Sequence, residues 1–139
     1  MWSKRQEVSY ALQRRHRLQL LRQPDLALIE GDPCDADSLL IRSALHHGTD
    51  AGAECPVCAS GRMKNLNYVF GEQLGQFSGR IKSTSDLAEM ENEFGEFKVC
   101  VVEICPDCGW NHLTTTYLLG DGRKRRPPRR RQTVEDIYG

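Results

Sequence analysis

At 139 residues the chain has room for one domain, or for one domain with a small accessory unit. Its 39% hydrophobic and 27% charged residues fit a soluble globular protein with a modest core, and no apolar stretch approaches the roughly eighteen residues of a membrane-spanning helix. The formal net charge of zero hides a segregation: residues 1–24 carry +5, residues 25–120 carry −9 and residues 121–139 carry +4. Basic ends around an acidic middle point either to an anionic partner or to ends that fold back on the chain's own acidic body. The first residues are arginine-rich and lack an apolar run before a small-residue cleavage site, so export is not expected. The six cysteines are therefore expected in a reducing cytoplasm, where Cys-x-x-Cys pairs read as metal or redox sites before disulfides.

Residues 5–22 contain neither Pro nor Gly and are rich in helix formers. A helix there places Val8, Ala11, Leu12 and Leu18 on one face, interrupted by Arg15. Pro24 breaks the pattern, and Leu26, Ala27, Leu28 and Ile29 predict a short second helix ending near Gly31. A third helix starts at Asp35 or Asp37, carries the stripe Leu40, Ile41, Ala44 and Leu45, and stops at Gly48. Residues 1–48 thus read as a small helical unit, with a linker over 48–54.

From residue 54 to 120 the texture is that of strands. Residues 63–70, 96–104 and 111–119 predict a three-stranded antiparallel sheet, the last run carrying Thr114, Thr115, Thr116 and Tyr117. Gly71, Gly75 and Gly79 mark a loop between the first two strands. A short helix follows, with Asp86 and Glu89 as cap residues, Leu87, Met90 and Phe94 on one face and Gly95 at its end. The glycines are not a phosphate-binding loop, which needs Lys after its last Gly; here Arg80 and Ile81 follow Gly79. Residues 121–139 lack the apolar content to bury and contain Pro127 and Pro128, so a disordered Arg-rich tail is expected. The expected fold class is α+β: an N-terminal helical unit, a zinc ribbon with an inserted loop and helix, and a basic tail.

The ribbon reading rests on two Cys-Pro-x-Cys knuckles, Cys55 with Cys58 and Cys105 with Cys108. One tight turn aims both thiolates of a pair at one ion, and two turns supply the four soft ligands of a structural Zn²⁺. Pro56 and Pro106 stiffen the turns, and Gly109 supplies the positive φ that follows such a knuckle. Ala59 stands at the matching place in the first knuckle, which predicts a looser turn. A thioredoxin-like redox pair, a rubredoxin-like iron centre with four cysteine ligands and two unrelated cysteine pairs are the other readings. Cys34 and Cys100 exceed four-coordination and read as small buried hydrophobes. His112 is a weak substitute ligand beside four thiols, His46 and His47 suit a helix C-terminus, and His16 sits on a solvated face. No nucleophile–base arrangement or open metal position stands out, so an enzyme is not expected.

Several stretches resemble an actinobacterial family, domain of unknown function 5318. They are Gln6-Glu-Val-Ser-Tyr-Ala-Leu-Gln-Arg-Arg, Cys34-Asp-Ala-Asp, Cys55-Pro-Val-Cys, Tyr68-Val-Phe-Gly-Glu, Glu93-Phe-Gly-Glu-Phe, Val101-Val-Glu-Ile-Cys and Cys108-Gly-Trp-Asn-His-Leu. The resemblance implies an actinobacterial, cytoplasmic origin and no particular chemistry. Trp110 and Asn111 lie in its most specific stretch and read first as residues that pack the ribbon.

The functional expectation is a non-enzymatic binding protein that engages RNA, the ribosome or the transcription machinery through its basic ends. Arg123, Lys124, Arg125, Arg126, Arg129, Arg130 and Arg131 put seven cations into nine residues, and arginine forks bind phosphates bidentately. The alternative is a protein–protein adaptor whose tail acts on its own body or on an acidic protein. An electron carrier with iron held by the four cysteines is the third reading. None of the three involves a membrane.

Overall fold

A computed structural model describes residues 1–22 and 34–125. The helix expected over 26–31 and the tail beyond Arg125 lie outside the described residues. The architecture is α+β, built on one antiparallel five-stranded sheet rather than the three-stranded sheet expected. Its strands are β1 (Arg5–Ser9), β2 (Thr49–Glu54), β3 (Arg62–Phe70), β4 (Phe97–Ile104) and β5 (Asn111–Leu119), in the order β1-β5-β4-β3-β2. The three central strands fall where the β-branched and aromatic runs placed them. The two edge strands are the correction.

Residues 5–9 form a strand, and the helix α1 (Ala11–Leu21) begins only after Tyr10. The outer edge of β5 offers unpaired backbone groups, and β1 takes them, Val8 opposite Thr116 and Ser9 opposite Thr115. Gln6 adopts φ 50°, where the register between Arg5 and Val8 shifts; such a bulge twists an edge strand away from further pairing. On the opposite edge, the presumed linker pairs with β3 as β2, Asp50 opposite Lys64. Its Gly, Thr and Ala content hides that strand from a propensity reading, because pairing with β3 decides it.

Alternation along the strands separates two faces. Val69, Val99, Tyr117, Phe97 and Leu119 point to one side, where Leu74 of the 3-10 segment Glu72–Phe77 packs with Leu87 and Met90 of a later helix. That helix, Thr84–Glu93, follows α2 (Ser38–His47) in the chain and is α3. Its cap is Ser83 rather than Asp86: the Ser83 hydroxyl accepts from the Asp86 N–H while Asp86 accepts from the Ser83 N–H, a reciprocal capping box. Leu66 and Ile104 point to the other side, where α2 covers them with Ala44 and Leu40. Asp37 caps α2 by accepting from the Leu40 N–H at 2.8 Å, and His46 and His47 occupy its last turn.

Candidate metal centre

Topology alone brings the two knuckles together. The first connects β2 to β3 and the second connects β4 to β5. Because β3 and β4 are antiparallel neighbours with Lys64 opposite Ile104, the start of β3 and the end of β4 share one end of the sheet. Both hairpin connections therefore project from that end.

The Sγ atoms of Cys55, Cys58, Cys105 and Cys108 all lie within 4.8 Å of one another. Cys55 and Cys108 are 3.6 Å apart, and Cys58 and Cys105 are 3.7 Å apart. A tetrahedron of sulfurs bound at a zinc–sulfur distance of about 2.3 Å has an edge of about 3.8 Å. The donor set and its spacing thus fit one four-coordinate soft metal ion.

The two turns share one construction. The Ala59 N–H donates to the Cys55 carbonyl at 3.0 Å and the Gly109 N–H donates to the Cys105 carbonyl at 2.8 Å. Ala59 takes φ 58° and Gly109 φ 88°, so Ala59 occupies the left-handed position its sequence slot demands and the first turn is not loosened. Backbone N–H groups point at sulfurs in both knuckles, among them Val57 to Cys55 and Trp110 to Cys108, both at 3.4 Å. The Ser60 hydroxyl adds a contact to Cys58 at 3.5 Å.

Gly61 is what lets the knuckles close. A Cβ there would lie 2.6 Å from Cys105 Sγ and 2.8 Å from an Asp107 carboxylate oxygen, so any other residue would force one of these side chains to shift. Beneath the sulfurs, Trp110 is completely buried among Cys55, Met63 and Cys105, with Leu18 and Leu21 of α1 against it. The His112 ring stacks on the indole with centroids 6.0 Å apart, and the Arg17 guanidinium lies 4.5 Å from the indole centre. Trp110 and its neighbours are thus the floor of the centre, as the packing reading expects. Asn111 has a second task, donating to Asp35 at 2.8 Å. His112 Nδ1 lies 3.3 Å from Arg17, and the ring stays outside the sulfur cluster.

On protein contacts alone, the thiols differ widely. The Ser60 hydroxyl, with the N–H groups of Ser60 and Gly61, pulls Cys58 down to about 6. Burial pushes both Cys105 and Cys108 up to about 12. Four thiolates held this close would need a cation to neutralise them. A metal so held supplies local structure, since no position remains open for substrate or water.

Two features of the centre escaped the sequence reading. Gly61 carries no motif signal beyond its nearness to Cys58. Cys34 is half-buried rather than buried, and its Sγ sits 3.6 Å from that of Cys108. Cys100, also half-buried, lies mid-strand opposite Tyr68 and Thr116, away from the cluster. Of the expected tail cations, Arg123, Lys124 and Arg125 are described, and Arg125 pairs with Asp121 at 2.6 Å. Arg126, Arg129, Arg130 and Arg131 lie outside the described residues. Among the described residues, no helix is long and apolar enough to cross a membrane.

Fold and site together define an α+β protein in which one antiparallel sheet presents, at one end, a four-cysteine cluster able to hold a metal ion. The model of a family of unknown function, DUF5318, matches residues 1–133, and the chain belongs to that family. Uncharacterised proteins of Mycobacterium tuberculosis and Mycobacterium bovis are 43% identical to it over 96 residues, covering 69% of this chain and 70% of theirs. No solved structure matches.

Proposed function

We propose that the protein is a non-enzymatic binding protein of the cytoplasm, held in shape by one structural zinc, that engages RNA through its basic ends. The carrying observation is the surface of α1. None of its residues is fully buried, and Arg15, His16 and the following Arg22 are exposed. The helix is nonetheless fixed at two points. Arg14 forms an ion pair with the buried Glu103, and Arg17 donates to the Asn111 carbonyl at 2.7 Å. A helix anchored by Arg14 and Arg17 that keeps Arg15 and Arg22 outward suits a polyanionic partner.

The root of the Arg-rich tail lies at the other end of β5 from α1. Nine strand residues separate them by about 30 Å, so an RNA that touches both must span the sheet. Ribosomal or transcription-complex RNA offers such length. A protein–protein adaptor is the second reading, favoured by the Arg125–Asp121 pair, in which the tail's root binds the chain's own acid.

Titrating single-stranded RNA against the full chain, a chain lacking residues 123–131 and the Arg15→Ala/Arg22→Ala double variant, at several salt concentrations, tests the proposal. For single strands log K falls by about 0.7 per unit log salt for each phosphate neutralised. Removing contacts to four to seven phosphates should therefore lower the slope by roughly 3 to 5. RNA affinity that is absent at low salt, or unchanged in both altered chains, contradicts the proposal and favours the adaptor.

A further inference from the structure

A fifth thiol stands against the cluster. The Sγ of Cys34 is 3.6 Å from that of Cys108, although 74 residues separate them in the chain. The segment that carries it is docked on the second knuckle by contacts that do not involve sulfur. The Ala36 N–H donates to the Gly109 carbonyl at 3.1 Å, and Asn111 donates to Asp35 at 2.8 Å. The Cys34 carbonyl itself packs where a Cβ on residue 109 would lie, 3.1 Å away. Gly109 thus serves the turn by its positive φ and the docking by its lack of a side chain. The Cys34 position is built into the knuckle, and four-coordination leaves its thiol outside the ligand set.

We propose that Cys34 and Cys108 form an oxidation site: a peroxide joins them as a disulfide, which takes Cys108 out of the ligand set and releases the metal. Metal release rests on the zinc reading above; the disulfide does not. In the first step the Cys34 sulfur attacks one peroxide oxygen and the O–O bond breaks. The thiol proton leaves with the departing hydroxide as water, and Cys34 becomes a sulfenic acid. In the second step the Cys108 thiolate attacks the Cys34 sulfur. The S–S bond forms as the S–O bond breaks, and the departing hydroxide takes a proton from solvent to give a second water. Two electrons pass from the two sulfurs to hydrogen peroxide. Closing the gap from 3.6 Å to a bond of about 2.05 Å draws Cys108 toward Cys34. Three thiolates then remain for a metal that needs four.

Cys108 also has Cys55 at 3.6 Å. Cys34 differs in lying outside the four-thiol set, so a metal held there would leave its sulfur unligated, and the first attack is accordingly assigned to that sulfur. Partial exposure of both Cys34 and Cys108 gives a small oxidant access.

The test treats the full-length zinc-loaded protein with hydrogen peroxide. It follows zinc release with a chromogenic chelator and maps disulfides in unreduced peptides. The expected result is a Cys34–Cys108 peptide that appears together with zinc release and reverts on adding a dithiol reductant. Cys34→Ala and Cys34→Ser should each keep their zinc and release it at least about tenfold more slowly, because the resident attacking partner is gone. Release at the wild-type rate in both variants overturns the proposal, as does a map in which the first disulfide joins Cys55 to Cys58 or Cys105 to Cys108. Protein isolated without zinc contradicts the metal reading alone. The peptide map then decides the thiol pair by itself, a Cys34–Cys108 link supporting it and any other first link overturning it.

Discussion

Arg14 of α1 holds Glu103 of β4 through Nε and Nη2, and the two side chains are buried to very different degrees. Glu103 keeps 5% of its side-chain surface while Arg14 keeps 31%. The pair therefore breaks asymmetrically. Arg14→Ala strands a carboxylate inside the protein and should cost about 3–5 kcal/mol, the range for an uncompensated buried charge. Glu103→Gln leaves an arginine that can turn to water, and should cost about 1–2 kcal/mol. Urea unfolding of both variants checks the order. Equal costs would mean that Glu103 is wetter than its burial implies.

The first turn of the chain is tied to α3 through Glu91, which is buried and accepts from the Ser3 hydroxyl at 2.5 Å and the Ser3 N–H at 3.1 Å. Burial alone would raise the Glu91 carboxyl, but the Ser3 bonds and the N-terminal ammonium outweigh it, and the net direction is down. A lowered acid stabilises the folded state above its unfolded value, about 4.3, and that stability is lost as pH falls through the folded value. Stability should thus drop below about pH 4.3. Ser3→Ala should cost about 1.5–3 kcal/mol at neutral pH and flatten the acid limb. An unchanged acid limb in Ser3→Ala would contradict this assignment.

Gly61→Ala forces a methyl to within 2.6 Å of Cys105 Sγ unless something shifts. The knuckles must separate, so metal affinity should fall by at least about tenfold, equivalent to about 1.4 kcal/mol. Ala59→Gly acts oppositely. It relieves a left-handed alanine at φ 58° and should be neutral or stabilising by up to about 1 kcal/mol. Competition with a chromogenic chelator measures the first, and thermal unfolding of the metal-loaded protein measures the second.

The four-cysteine cluster is more legible in the sequence than the fold around it. A Cys-Pro-x-Cys turn is a local object, and the runs at 63–70, 96–104 and 111–119 carry enough β-branched residues to declare themselves. By contrast, β1 and β2 exist because β5 and β3 offer open edges, and nothing within Arg5–Ser9 or Thr49–Glu54 encodes that. Val8 on the presumed helix face is 47% exposed on an edge strand instead. The cap of α3 is present locally as Ser83-Thr-Ser-Asp86, where the serine takes the cap position and the acid its reciprocal partner three residues on. The place of Cys34 beside Cys108 is a tertiary fact that spacing could not reveal.

Cys34 and Cys100 should both be dispensable for holding metal, despite their different surroundings. Cys34→Ala and Cys100→Ala should each retain one metal per chain. Cys100, half-buried mid-strand with its thiol raised by burial, should cost about 1 kcal/mol on substitution. Loss of metal in either variant would mean that the ligand set is misassigned.

Elemental analysis of the purified full-length chain and of Cys105→Ser decides whether the four sulfurs hold one zinc ion. Cys105 is completely buried and contributes one of the four sulfurs. Structural zinc contributes roughly 10–16 kcal/mol of apparent binding free energy in small peptides, on the scale of a whole domain's stability. One zinc per wild-type chain is expected, and a Cys105→Ser variant should hold no stoichiometric zinc and lose the fold around the knuckles. A wild-type chain that carries iron or no metal, or a Cys105→Ser variant that keeps a full zinc, would contradict this expectation.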